Sequence, residues 1–310
     1  MATLTRSFPK IARHLNYRRS FPTATSARVD IPCIPYEAFD YTGNTVNPWS
    51  LMRLVESVRA YTFWKHVSTS APNTSMMDLH DILKSRLVFI IGARLQIMDR
   101  AFHEFETPKH PLYCITALKN LGKSSKTLSY DLFHEGSDRH LVSCDVTDVL
   151  VDEKSRKPIA YPDWWLEKYG HHVNGFRRAQ LLTDVDPGSA QVNLSYFRVT
   201  LSDTDTYRHC NWASFLKYCY ESMFEHVSRD GSYAWITSDD VNAGLRHVDM
   251  LFRNEATLGD VLIVQSWSEC DQTDTGEYPY LKFRIINNGN SCFEAKMAFF
   301  EDKKSIKHKL

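Results

Sequence analysis

The stretch SDTDTYRHCNW, Ser202 to Trp212, decides how this chain is read. It places Asp203, Asp205, His209 and Asn211 at the spacing D-x-D-x-x-x-H-x-N. Apolar residues alternate before it at Val192, Leu194 and Tyr196. After a slip of phase they resume at Phe197, Val199 and Leu201, which predicts a strand. Beyond it, Phe215, Leu216, Cys219, Met223, Phe224 and Val227 recur at steps of three and four, the stripe of a helix. Two carboxylates, an imidazole and an amide therefore sit in a strand-to-helix turn. A helix start offers unpaired N–H groups and roughly half a unit of positive charge. Such a turn can polarise a carbonyl while a carboxylate acts on it or on a water. Asp and Asn also populate turns and caps for backbone reasons alone, so a structural reading stands beside the chemical one.

The same order of elements is written twice along the chain. In the second half, VNAGLRHVDMLFRNEATLGDVLIVQSWSE predicts strand, polar break at Gly259-Asp260, and strand. EYPYLKFRII and SCFEAKMAFFED flank the turn Asn287–Asn290, whose Asn-Gly pair signals a hairpin. In the first half, Arg28 to Tyr41 reads as extended, and Pro48 suits a first helical turn. Leu51, Leu54, Val55, Val58 and Tyr61 give a helical stripe. LVFIIGARLQIM and PLYCITALKN then read as strands, and TLSYDLFHEGSDRHLVSCDVTDVLVD as two strands about a turn at Glu135–Asp138. One long helix followed by an antiparallel meander, twice, is an α+β pattern. No βαβ alternation occurs, which argues against a doubly wound sheet.

This arrangement resembles the hotdog-fold thioesterases, which cleave acyl thioesters of coenzyme A or acyl carrier protein. Asp205 falls on the second Asp of their D-x-D turn, His209 and Asn211 on its H-x-N, and YCYESMFE (Tyr218 to Glu225) on their aromatic-and-Glu helix. A second likeness is independent of that turn. LGKSS, then YDLF, then CDVTDVLVDEKSRKPIAYP follows the family's G-x-S-S, strand, turn, strand, D-x-x-x-x-r-P order. The layout is most similar to the plant-type acyl-acyl carrier protein thioesterases, over roughly residues 30 to 303. That resemblance implies a tandem double hotdog, each domain a long helix wrapped by a curved antiparallel sheet. The expected parts are a basic leader over 1–29, a first hotdog over 30–162, a linker over 163–190, a second hotdog over 191–304 and a tail over 305–310. The linker carries the loop signals Tyr169-Gly170, Asn174-Gly175 and Asp186-Pro187-Gly188.

The resemblance also assigns roles. Asp205 would be general base or nucleophile, His209 and Glu255 would position or activate a water, and Asn211 would complete the H-x-N. N–H groups near Asn211–Ala213 would polarise the carbonyl, and Tyr207 and Trp212 would line the substrate. Two positions depart from the plant-type pattern: Tyr207 stands where that family has Asn, and Ala256 where it has Cys. The first half repeats no such motif, since Asp40 in FDYTGNTVNPW has no His at the matching distance. One catalytic site is expected, with the first domain shaping the acyl pocket. No metal or other cofactor is required. The rival readings are a non-catalytic acyl-thioester binding protein and a hotdog hydratase or dehydratase.

Composition sets the outer bounds. Lys plus Arg and Asp plus Glu both number 37, and the formal charge of zero gives no support to nucleic-acid binding. No apolar run reaches the roughly 18 residues of a membrane helix. Seven scattered cysteines form no C-x-x-C pair and read as reduced, mostly buried thiols. Arg6, Lys10, Arg13, Arg18, Arg19 and Arg28 precede the first acid, Asp30, a pattern that fits a mitochondrial transit peptide or a basic leader on a cytoplasmic protein. The expected partner is the acyl-coenzyme A or acyl-acyl carrier protein substrate. A homo-oligomer of the fused chain is a further possibility.

Overall fold

A computed structural model of the chain describes residues 16–40, 43, 45–64, 75–173, 181–182, 185–205, 208–229, 232–273 and 276–301. The chain divides into two compact units. One is drawn from residues 1–39, 51–93 and 108–180, the other from 40–50, 94–107 and 181–310.

The first unit opens with β1 (Arg18–Thr23) and β2 (Ser26–Ile31), an antiparallel pair. Then come α1 (Pro48–Phe63), β3 (Arg86–Ile97), β4 (Leu112–Leu121), β5 (Ser125–His134), β6 (His140–Asp152) and α2 (Asp163–Gly170). The strands lie in the order β1-β2-β4-β5-β6, each antiparallel to its neighbour, with β3 beside β6. Pro48 starts α1 because its φ is already helical and its missing N–H is not needed there. Leu51, Met52, Val55 and Val58 form the expected stripe and are buried.

Two expected boundaries move. Residues 18–29 are not leader, since they form β1 and β2, and Ala27, Val29 and Ile31 are fully buried. Two members of the basic run, Arg19 and Arg28, have structural roles. Arg19 donates to the carbonyls of Tyr61 and Trp64 near the end of α1, and Arg28 pairs with Asp30 at 2.7 Å and lies 3.9 Å over the Tyr113 ring. Arg6, Lys10 and Arg13 lie outside the described residues. The expected linker is likewise not all linker. Its first part is α2, which buries Trp165 and Tyr169. Trp165 Nε1 donates to the Met77 carbonyl at 2.6 Å, and Tyr169 and Lys168 both donate to the Asp78 carboxylate. Turn signals after the helix masked an apolar pair at the spacing of one helical turn.

The second unit holds β7 (Asn193–Arg198), α3 (Trp212–Val227), β8 (Leu245–Phe252), β9 (Val261–Thr273), β10 (Gly276–Asn287) and β11 (Asn290–Phe299). Their order is β8-β11-β10-β9-β7, antiparallel throughout. The β10–β11 turn takes positive φ at Asn288 and Gly289, as the Asn-Gly pair predicts. α3 lays its aromatic face on this sheet: Phe215 stacks on Phe293 at 5.4 Å, and Phe197 of β7 stacks on Tyr218 at 5.2 Å. β7 is shorter than the apolar alternation suggests, and its phase is inverted. Leu194 and Tyr196 are exposed while Ser195 is buried against Glu225 and His226. Leu201 falls in a 3₁₀ turn, Leu201–Asp203, and is exposed too. Each unit is thus a 16-residue helix with an antiparallel sheet.

Candidate active site

The turn between β7 and α3 is built around Asp203. Its carboxylate closes a capping box with Thr200, accepting the Thr200 N–H at 3.0 Å and its hydroxyl at 2.5 Å. Lys217, one turn into α3, reaches the other oxygen at 3.3 Å. The Asp203 carbonyl accepts the Asn211 N–H at 2.7 Å and the Ser214 hydroxyl at 3.0 Å. Burial, the largest influence, pushes this carboxyl upward, but the Thr200 donors and Lys217 outweigh it and hold it below the ordinary carboxylate range. The first Asp of the motif is therefore a buried keystone, fully committed to holding the turn.

Asp205 sits at the mouth of the loop that this keystone supports. Its N–H donates to the His209 carbonyl at 2.8 Å, and its Oδ1 accepts the His209 N–H at 3.2 Å. Arg208 takes a left-handed φ of 63° to close the loop. The returning limb is stitched to the segment after β8: the Cys210 N–H donates to the Ala256 carbonyl at 2.7 Å, and His209 bridges to Thr257. This pairing brings Glu255 to the imidazole, its Oε1 at 3.3 Å from His209 Nδ1. Arg253 anchors the segment, pairing with buried Glu294 at 2.9 Å. Asp205 and His209 are half-buried and Glu255 is exposed, so the site lies at the surface of the unit, with the Asp205 carboxylate on the backbone N–H of His209 and Glu255 on its ring.

Asn211 is the N-cap of α3, its side-chain oxygen accepting the Ala213 N–H at 2.9 Å. Of the N–H groups expected to polarise a carbonyl, those of Asn211 and Ala213 are bound within the protein, to the Asp203 carbonyl and to the Asn211 side chain. The helix still contributes its field at that end. Trp212, expected to line the substrate, is buried with its ring 6.3 Å from that of Phe252. Tyr207 lies outside the described residues. Ala256, in place of a cysteine, is buried beneath the turn. Thr200 and Lys217 complete the site's framework. The T-x-x-D signal at Thr200–Asp203 was legible as a capping box, whereas the reach of Lys217 was not.

Residues 199–305, which carry this turn and the strands behind it, match the family model described as the Thioesterase-like superfamily. Three solved structures share the fold. A provisionally assigned oleoyl thioesterase from Lactobacillus plantarum aligns with a TM-score of 0.61 at 12% identity, covering 93% of this chain and 98% of its own. The 12:0-ACP thioesterase of Umbellularia californica gives 0.60 at 10%, covering 89% and 94%. An acyl-ACP thioesterase of Bacteroides thetaiotaomicron gives 0.59 at 10%, covering 89% and 98%. No curated protein sequence matches the chain. Residues 199–305 are thus similar to the thioesterase-like superfamily, and the chain shares the fold of these three thioesterase structures.

Proposed function

We propose that the chain is an acyl thioesterase, hydrolysing acyl-coenzyme A or acyl-acyl carrier protein thioesters to a free acid and a thiol. In this reading both units are hotdog domains in tandem, and the second carries the chemistry. The observation that supports it is the His209–Glu255 pair in the same turn as Asp205, just before α3 and inside the region matched to the thioesterase-like family. Water adds its oxygen to the acyl carbon, the C–S bond breaks, and the sulfur leaves with a proton as the thiol. Asp205 either takes the proton from that water or first forms a mixed anhydride that water then opens. The Glu255 carboxylate on Nδ1 holds the His209 ring, so that its other face is turned to the reacting atoms.

The test is incubation with a panel of acyl-coenzyme A and acyl-acyl carrier protein esters of graded length, reading free thiol and products. Thiol release from the wild type, lost in Asp205→Asn at an unchanged melting temperature, is the expected result. Asn keeps the shape but can serve as neither base nor carboxylate nucleophile. No change in any ester would point to a non-catalytic binder, and a 3-hydroxyacyl product to a hydratase. Delivery to the mitochondrion rests on Arg6, Lys10 and Arg13. Targeting of a reporter fused behind residues 1–15 tests it.

A further inference from the structure

The Glu255 carboxylate can hold the His209 ring only if the short segment that carries it is itself held. That segment, residues 253–260, leaves the end of β8 and is fixed at both ends. At the far end one oxygen of Asp260 accepts the Thr257 N–H at 2.8 Å, the Thr257 hydroxyl at 3.2 Å and the Asn287 amide at 2.7 Å. At the near end the chain is gripped on both faces of the sheet. Phe252 packs on Phe215 and Phe293, on the face that carries α3. Arg253, the next residue, reaches Glu294, the next residue after Phe293 on β11 and on the opposite face.

Glu294 is buried, and donors from three places converge on it. Its Oε1 accepts Arg253 Nε at 2.9 Å and the Ser291 hydroxyl at 3.1 Å. Its Oε2 accepts Arg253 Nη2 and the Val185 N–H, both at 3.3 Å. Arg284, opposite Glu294 in register on β10, donates to the Val185 carbonyl and fixes that segment in turn. The Asn254 side chain donates to the Ser291 carbonyl at 2.7 Å, and the N–H groups of Arg253 and Asn254 both reach the Cys292 carbonyl. Burying a carboxylate is costly, and a buried ion pair is often no more stabilising than apolar side chains of the same volume. What a bidentate arginine adds is geometry, because its planar fork fits two carboxylate oxygens in a defined arrangement. Here that arrangement is imposed two residues from Glu255.

We propose that Glu294 is a positioning residue of the active site. Through Arg253 it sets where Glu255 stands, and so which nitrogen of His209 carries the proton. With Glu255 on Nδ1, the neutral ring keeps its hydrogen there and presents Nε2 as an acceptor. The effect on turnover rests on the thioesterase reading; the effect on the ring does not.

Glu294→Gln in the full chain tests it, because the amide keeps the shape but puts an NH2 group against a donor that the carboxylate accepted. The variant should lower kcat about tenfold and leave KM within about twofold. In Glu255→Ala, which has already lost the link, the same substitution should lower kcat no further. Equal losses in both backgrounds, or no loss in the wild type, would overturn the proposal. The second readout needs no turnover. Long-range proton–nitrogen NMR spectra at about pH 8, above the ordinary histidine range, report which ring nitrogen is protonated, with His209→Gln identifying the signal. The wild type should carry the proton on Nδ1, and Glu294→Gln and Glu255→Ala should both shift it toward Nε2. A wild-type ring protonated on Nε2, or an unchanged ring in Glu294→Gln, would also overturn the proposal. If Glu294→Gln fails to fold, Arg253→Lys, which keeps the charge but not the fork, and Ser291→Ala carry the same two readouts with the same deciding results. Absence of thiol release from the wild type would end the thioesterase reading and leave the ring to decide this one.

Discussion

At the scale of single residues, the two aspartates of one motif divide the work. Asp203 is buried and holds three side-chain or backbone donors, whereas Asp205 is half-buried at the loop mouth. Asp203→Asn keeps the shape but gives up charge-assisted bonds in a buried place. It should cost about 1–3 kcal/mol, read as a melting temperature lower by several degrees. Asp205→Asn should leave melting unchanged and remove thiol release. The reverse pattern would assign the chemistry to the wrong carboxylate. His209 and Glu255 are expected to act as one unit. Glu255→Gln and His209→Gln should each slow turnover by up to about 10²-fold, and the double variant should be little worse than the more damaged single. Fully multiplicative losses would show that the pair is not coupled.

At the scale of elements, the hairpin of β1 and β2 is part of the first unit. Removing residues 1–31 takes away Ala27, Val29 and Ile31, all fully buried, and strips β4 of its outer partner. Each lost Val or Ile forgoes roughly 1.5–3 kcal/mol of burial. A chain starting at residue 32 should therefore be insoluble or lose sheet signal in circular dichroism, and a soluble chain with wild-type melting would return 18–31 to the leader. The Trp165 ring on α2 tests the other moved boundary. Trp165→Ala should destabilise by about 3–5 kcal/mol, far more than a linker residue would.

At the scale of the whole molecule, stability should be bounded on both sides of pH. Asp260 sits below the ordinary carboxylate range, chiefly through the Thr257 N–H, and Asp203 does so because its donors outweigh burial. Such groups stabilise the fold above their unfolded values, near pH 4, and that contribution is lost as pH falls through the folded ones. Burial pushes the Tyr169 and Tyr233 phenols up to about 12. Their contribution is complete below roughly pH 10, where the unfolded phenol titrates, and is lost as pH rises through the folded values. Melting temperature should be flat only from about pH 7 to 8: burial lowers His247 and raises the Cys114, Cys144 and Cys219 thiols, so stability is lost below the unfolded histidine value near 6.5 and above the unfolded thiol value near 8.5, and further beyond. In Asp203→Asn the acid limb should be shallower.

The sequence by itself determined the α+β order, both long helices, the two meanders, the Asn-Gly hairpin and the Asp205–His209 turn. All of these are written in local periodicity and turn chemistry, within a few residues of where they act. Only the tertiary structure decided that Asp203 is a keystone, because its partner Lys217 lies across a loop and a helical turn. It also decided that Leu194 and Tyr196 face outward, that residues 18–31 are sheet, and that Glu255 reaches His209. Those outcomes depend on which strand pairs with which. The junction of Arg253, Glu294 and Val185 is of the same kind, since three residues far apart in sequence meet only when β11 is paired with β8 and the Val185 segment is brought against it.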